Sequence, residues 1–250
     1  LATKCGLSRD ESGRMVADNR PDTVRRSCDE SLARLGVERI DLFYLHRYDR
    51  DVPLDESIGA LADLVAAGKV RFVGMSEVGP ETLRRAYEIY PISALQSEMS
   101  LWSCSSARPS LDLCRELGIS FVAYSPLGRG FLTGALKDAA QLVEGDTRHM
   151  FPRFSDENIA ANQEIVARLA RLARNFDCSP AQLALAWVLA QWRGVLPIPG
   201  TKHRAYLEEN YGALNLELSS HDVQAISAEL PEELVQGERY PAAMLGMLDS

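Results

Sequence analysis

Residues 39–76 read RIDLFYLHRYDRDVPLDESIGALADLVAAGKVRFVGMS, and the fold follows from this stretch. Its two ends, Arg39 to His46 and Lys69 to Ser76, are short runs rich in apolar, β-branched and aromatic residues, which is the composition of a buried strand. Between them, Leu54 to Ala67 sets Ile58, Leu61 and Val65 at helical spacing and ends at Gly68. Strand, helix, strand at these lengths is a βαβ unit, whose connection is long enough to bring the second strand back parallel to the first.

The same alternation runs outward in both directions. Upstream lie a strand stub, Leu1 to Lys4, and an amphipathic helix, Pro21 to Leu35, with Val24, Cys28, Leu32 and Leu35 on one face and Gly36 as its stop. Downstream come helix Pro80 to Tyr90, strand Ile92 to Gln96, helix Pro109 to Leu117 and strand Ile119 to Ser125. Beyond these are helices at about 156–175 and 180–191, strand Val195 to Ile198, and helices at about 204–211 and 219–229. Proline opens several of these helices, where its missing N–H leaves no bond unmade. Gly128 to Pro152 is too long for an ordinary connection and reads as a lid or binding segment, and the tail from Pro231 to Ser250 reads as irregular. About six βα units result. The expected fold is therefore an α/β (β/α)8 TIM barrel, one domain over residues 1–250, with two units missing at the front. An open remnant of this kind exposes sheet edges that could pair with a second copy, so a homo-oligomer is a possible partner state.

With 250 residues, 46% of them apolar, the chain can bury one large core. A net charge of −8 gives no basic footprint for nucleic acid or an anionic membrane surface, which leaves a small molecule as the expected partner. No apolar run approaches the ~20 residues of a membrane span, and no signal peptide opens the chain, so the expected location is the cytoplasm. Cys5, Cys28, Cys104, Cys114 and Cys178 are odd in number and lack metal-ligand spacing; they are expected to be reduced thiols, with no metal site.

Barrel enzymes work at the C-terminal ends of their strands. In order, those ends carry Lys4, His46, Ser76, Gln96, Tyr124 with Ser125, and Pro199-Gly200-Thr201, a polar ring. Each residue alone has a plain explanation: a solvated lysine, a satisfied core histidine, a core aromatic. Their succession at the ends of consecutive strands sets them apart.

Six segments in this order, ATK (2–4), DLFYLHRYD (41–49), GKVRFVGMSE (68–77), LQSEMSLW (95–102), AYSPLGRGFLTG (123–134) and PIPGTKHRAYLEEN (197–210), resemble the aldo-keto reductase family. The likeness covers essentially the whole chain and is closest to the long-chain bacterial and plant branch with its pyridoxal reductase-like and auxin-induced-type members. It implies NADPH (NADP+) as cofactor and reduction of an aldehyde or ketone to an alcohol. Lys4 matches the lysine that activates a tyrosine, and His46 the histidine that orients the carbonyl. The family carries that tyrosine and an aspartate upstream of the lysine, ahead of residue 1 here, so half of the catalytic set is expected in this chain. Tyr44 and Tyr48 lie near His46 but match no motif.

For the cofactor, the resemblance assigns Ser76 and Gln96 to the nicotinamide carboxamide and Tyr124 to the ring face. It assigns Ser125, Leu127, Gly128, Arg129 and Gly130 to a loop around the pyrophosphate. Gly200, Thr201, Lys202 and Arg204 are assigned to the 2′-phosphate at a helix start, and Glu209 and Asn210 to adenine. Two departures from the family pattern are Glu77, where asparagine is common, and Tyr206, where arginine or glutamine is common. Met99, Trp102 and the 128–152 segment suggest an apolar wall for aldehydes or aromatic carbonyls. Two rivals remain: Lys4 as a Schiff-base nucleophile on the same fold, and an NADPH-binding regulatory subunit with little or no turnover.

Overall fold

The computed structural model of the chain describes residues 1–246 together with Leu248 and Asp249. Met247 and Ser250, in the tail read above as irregular, lie outside the described residues. In chain order the elements are β1 (Ala2–Cys5), β2 (Leu7–Arg9), β3 (Met15–Ala17), α1 (Pro21–Leu35), β4 (Ile40–Leu45), α2 (Leu54–Ala66), β5 (Val70–Ser76), α3 (Pro80–Ile89), β6 (Ala94–Glu98), α4 (Arg108–Leu117), β7 (Ser120–Tyr124), α5 (Asp156–Asn175), α6 (Pro180–Leu189), β8 (Val195–Ile198), α7 (Arg204–Gly212), α8 (Ser220–Glu229) and α9 (Ala242–Leu245). Six strands form one sheet in the order β1-β4-β5-β6-β7-β8, each new unit adding its strand beside the last, as in an alternating βα fold. The hairpin β2–β3, which the sequence reading does not contain, is antiparallel and stands apart from that sheet.

The chain divides into two compact units, residues 1–97, 109–121 and 246–250 in the first and residues 98–108 and 122–245 in the second. In the first unit, β1 pairs with β4, β4 with β5 and β5 with β6, all parallel. The register aligns Lys4 with Tyr44, Tyr44 with Gly74 and Gly74 with Ala94. Side chains alternate between faces with a period of two, so residues level with one another share a face. Two residues on, His46, Ser76 and Gln96 return to the face of Lys4 and Tyr44. The pairing alone therefore gathers the polar strand ends of this unit.

Gly74 is needed in that row. The Tyr44 ring lies over it on its way to a hydrogen bond with the Gln96 side chain, and a Cβ at Gly74 would stand 2.6 Å from the ring and 2.8 Å from the Ala94 carbonyl. Among the helices, α1 keeps the bounds the sequence implies because proline opens it and Gly36, at φ 65°, closes it by donating its N–H to Leu32 and Ala33 carbonyls.

The core of the second unit contains an aromatic cluster. Trp102 stacks on Phe131 at 4.8 Å between ring centroids and meets Phe154 edge-on at 6.0 Å. The long segment read as a lid is largely ordered by short 3₁₀ turns at Gly128–Thr133, Ala139–Gln141, Thr147–Met150 and Pro152–Phe154. Helix α6 is buried on nearly every side, and Trp187 within it donates its indole N–H to Ser227 of α8 at 3.0 Å. Among the described residues no helix is long and apolar enough to cross a membrane, and no three His, Cys, Asp or Glu side chains are grouped to hold a metal ion. All five cysteines are free thiols.

Gly74→Ala tests the register row. Forcing a methyl into a space closed by a ring and a backbone carbonyl is expected to destabilise the fold by about 1–3 kcal/mol, read as a lower urea midpoint at unchanged slope; an unchanged midpoint would show that Tyr44 does not rest on Gly74.

Candidate active site

In the first unit, Lys4 near the end of β1 and His46 just beyond β4 are half-buried side chains on the shared face, and the His46 N–H is fixed by the Cys5 carbonyl at 2.9 Å. Arg47, the next residue, turns back over the strand end. Its Nη1 donates to the His46 carbonyl at 2.7 Å and to Ser76 Oγ at 3.2 Å. Ser76 and Gln96 are buried. The loop after His46 is anchored by Asn19, a fully buried residue whose side-chain oxygen accepts the Asp49 N–H at 2.9 Å while the Asp49 carboxylate accepts the Asn19 N–H at 3.4 Å. Glu77 sits at φ 55°, a left-handed conformation that disfavours a side-chain-bearing residue. It is held there by its N–H to the Gln96 carbonyl at 3.0 Å and by the Asp249 N–H, which donates to its own carbonyl at 3.2 Å.

The charges that act on His46 are both positive, those of Arg47 and Lys4. Burial pulls the His46 imidazole down to about 4 from its ordinary 6.5, helped by the nearby Arg47 and Lys4 charges, so the ring is neutral near pH 7. Burial and the Arg47 guanidinium also pull the Lys4 ammonium below its usual range. Burial raises Tyr44, which together with its place inside the sheet removes it from acid–base work at neutral pH. A neutral imidazole can donate a hydrogen bond to an oxygen that gains charge without giving up its proton.

In the second unit, the half-buried Tyr124 ends β7, and its hydroxyl hydrogen-bonds the Tyr240 hydroxyl at 2.7 Å. Ser125 and Arg129 both adopt left-handed backbone conformations, at φ 49° and 55°. The Leu127 carbonyl accepts the Gly130 N–H at 3.0 Å, closing a tight turn around Arg129. The Arg129 guanidinium lies over the Phe151 ring at 3.8 Å and reaches to 5.6 Å from the Tyr240 ring. Gly130 sits at φ +89°, and a Cβ there would meet only the Arg148 guanidinium, in ordinary contact at 3.8 Å, so its backbone is bordered by one long side chain and nothing else within 4 Å. Gly128 is different: a Cβ there would lie 2.6 Å from the Trp102 indole, so its small size serves packing. Gly200, Thr201, Lys202 and Arg204 are exposed ahead of and at the start of α7. Arg204 is paired with Glu208 at 2.8 Å. The Glu209 carbonyl accepts the Gln182 side-chain N–H at 3.1 Å, and Asn210 is half-buried.

The apolar wall expected from Met99 and Trp102 is not there. Both are 1% exposed, and the faces of the Trp102 ring are covered by Phe131 and by Arg153, whose guanidinium lies 5.2 Å from it. Trp102 is core because its partners come from the segment read as a lid, Phe131, and from the residues just after it, Arg153 and Phe154. Sequence reasoning also missed Arg47, Asn19 and Tyr240. The Arg-x-Asp following His46 was a signal for the first, whereas nothing in the sequence around Tyr240 marks it.

A family model described as Aldo/keto reductase family matches residues 1–230. Over 245 residues the chain is 45% identical to an aldo-keto reductase of Schizosaccharomyces pombe, yakc, whose name specifies NADP(+); the match spans 96% of this chain and 72% of that protein. It is likewise 45% identical over 241 residues to probable aldo-keto reductase 1 of Glycine max, spanning 96% of this chain and 69% of the relative. Among solved structures, the glycerol dehydrogenase of Gluconobacter oxydans superposes with a TM-score of 0.83 at 27% identity, covering 95% of this chain and 73% of that one. A thermostable aldo-keto reductase solved with the inhibitor epalrestat gives 0.67 at 26% identity, covering 84% and 67%.

The His46 environment predicts its titration. Because its folded value lies below 6.5, the folded protein binds fewer protons than the unfolded chain as pH falls from about 6.5 to about 4, and stability drops through that window. Proton NMR should find an imidazole with a midpoint near 4 that vanishes in His46→Gln, and the variant should lose less stability than the parent over the same window. A midpoint at 6 or above would contradict the burial.

Proposed function

The chain belongs to the aldo/keto reductase family, with the barrel fold of that family, and from that premise we propose that it reduces an aldehyde or ketone to the alcohol through Lys4 and His46. The observation that carries this reading is the register of β1, β4 and β5, which sets both residues on one face with the imidazole held neutral. The cofactor is NADP(H), the one named for the Schizosaccharomyces pombe relative. When bound, it supplies the hydride to the carbonyl carbon.

The residues present suit such a dinucleotide. Among the described residues neither the Arg129 guanidinium nor the Lys202 ammonium has a carboxylate partner, although acids outnumber bases in the chain. Both stand beside backbone that approaches a ligand freely, Gly130 in one case and Gly200 in the other. The α7 start adds unpaired N–H groups and the positive end of a helix dipole. Arg129 and the turn from Ser125 through Leu127 and Gly128 to Gly130 would hold the pyrophosphate. Lys202, with Thr201 and Arg204, would hold the 2′-phosphate, Glu209 and Asn210 the adenine, Tyr124 the nicotinamide face, and Ser76 and Gln96 its carboxamide.

His46 donates its ring N–H to the carbonyl oxygen, fixing the carbon for attack and stabilising the charge that grows on oxygen. Lys4 keeps a poorly solvated positive charge beside the proton donor, which favours the ionised form of a neighbouring phenol. In the family that phenol is a tyrosine upstream of the lysine. A small carbonyl compound is the substrate and the cytoplasm the place of action.

Titration with NADPH, followed by quenching of protein fluorescence, tests the reading first. Lys202→Ala is expected to weaken NADPH about tenfold, the worth of one charged phosphate contact, and to leave NADH nearly unchanged. His46→Gln is expected to lower aldehyde turnover about 10²-fold or more while NADPH still binds. Absence of affinity for either dinucleotide would end the proposal, and tight NADPH binding without turnover by the parent would favour a regulatory subunit.

A further inference from the structure

Arg47 has no part in the reading above, yet it lies between the residue assigned to the carbonyl and one assigned to the nicotinamide. Of its donors, Nη1 serves the His46 carbonyl and Ser76 Oγ. Nε and Nη2 remain. Among the described residues no carboxylate forms an ion pair with this guanidinium. The nearest acid in the chain, Asp49, turns its oxygens to backbone N–H groups, one to Asn19 at 3.4 Å and the other to Asp51 at 3.0 Å. The positive charge is felt by its neighbours, since it contributes to the lowering of both Lys4 and His46.

A half-buried guanidinium without a counter-ion is unfavourable unless an anion arrives to meet it. Its planar fork suits one chemistry above others, two parallel hydrogen bonds to a carboxylate or phosphate. A purely structural bridge would account for Nη1 and leave the outer edge of the fork unexplained. We propose that Arg47 is a specificity-determining residue that binds an anionic group carried by the carbonyl substrate, so that carboxylated or phosphorylated carbonyl compounds are preferred to neutral ones. The inference rests on His46 facing the carbonyl oxygen, one residue away along the chain.

Matched pairs of aldehydes decide it: benzaldehyde against 4-carboxybenzaldehyde, and glyceraldehyde against glyceraldehyde 3-phosphate. Each is titrated calorimetrically into the full chain saturated with NADP+, so that no turnover is needed. The parent protein should bind at least one charged member about 10- to 100-fold more tightly than its neutral twin, the range of a charge-assisted hydrogen-bonded pair. The pair that shows it tells carboxylate from phosphate. Arg47→Gln should abolish that preference while changing affinity for the neutral twin less than about threefold, and Arg47→Lys, which keeps a point charge but not the fork, should fall between. Equal binding of charged and neutral members by the parent overturns the proposal, as does an equal loss for both in Arg47→Gln. Should Arg47→Gln not fold, the parent comparison and Arg47→Lys still decide. A charged-ligand preference that persists in a protein with no turnover would uphold Arg47 and count against the catalytic reading alone.

Discussion

Parallel pairing fixes the level of one strand against the next, and in the first unit everything chemical depends on it. Lys4, Tyr44, Gly74 and Ala94 form one row across β1, β4, β5 and β6. A slip of one residue in any pair would turn the following polar residue to the opposite face. Because side chains alternate, the row of largely small or buried groups supports, two positions on, the row that carries His46, Ser76 and Gln96. The backbone hydrogen bonds are sequence-blind, but the row is not: only glycine beside Tyr44 leaves room for the ring.

Above that row the electrostatics follow from burial. Three nitrogen groups, Lys4, His46 and Arg47, share a partly dehydrated region: the Arg47 charge makes protonation of Lys4 and His46 less favourable, and the Lys4 charge adds to this at His46. The imidazole yields first because its ordinary value is the lowest, which leaves it a neutral donor between two cations. The same crowding explains why Ser76 serves as an acceptor for Arg47: a hydroxyl receiving that bond keeps its own hydrogen available for another oxygen.

Much of this was legible in the sequence, and the reasons can be given element by element. Helix α1 and strand β8 have the bounds that pattern reading assigns because their signals are local, a proline, a glycine and an apolar spacing. The strand-end residues were legible because the βα rhythm counts them off. The hairpin β2–β3 was not, since each arm is three residues long and too short to show a period. Trp102 looked like a wall because its type favours binding sites; what decides its role is Phe131, Phe154 and Arg153, brought from 29 or more residues away by a fold that no window of sequence contains. Arg47 was visible as a letter, but the return of its side chain over the strand end is a matter of rotamer and neighbours.

The tail that reads as irregular has a similar history in the second unit. Arg239 and Glu98 are both nearly enclosed, 12% and 3% exposed, and their charged ends approach to 3.4 Å. Next to them Tyr240 bonds Tyr124. A buried pair of this sort is costly to break from one side, on the order of 3–5 kcal/mol, and nearly neutral to replace from both. Substitutions at the two positions are thus bound to each other across more than half the length of the chain: a lineage that alters one must soon alter the other, and sequences in which only one has changed should be rare among living relatives.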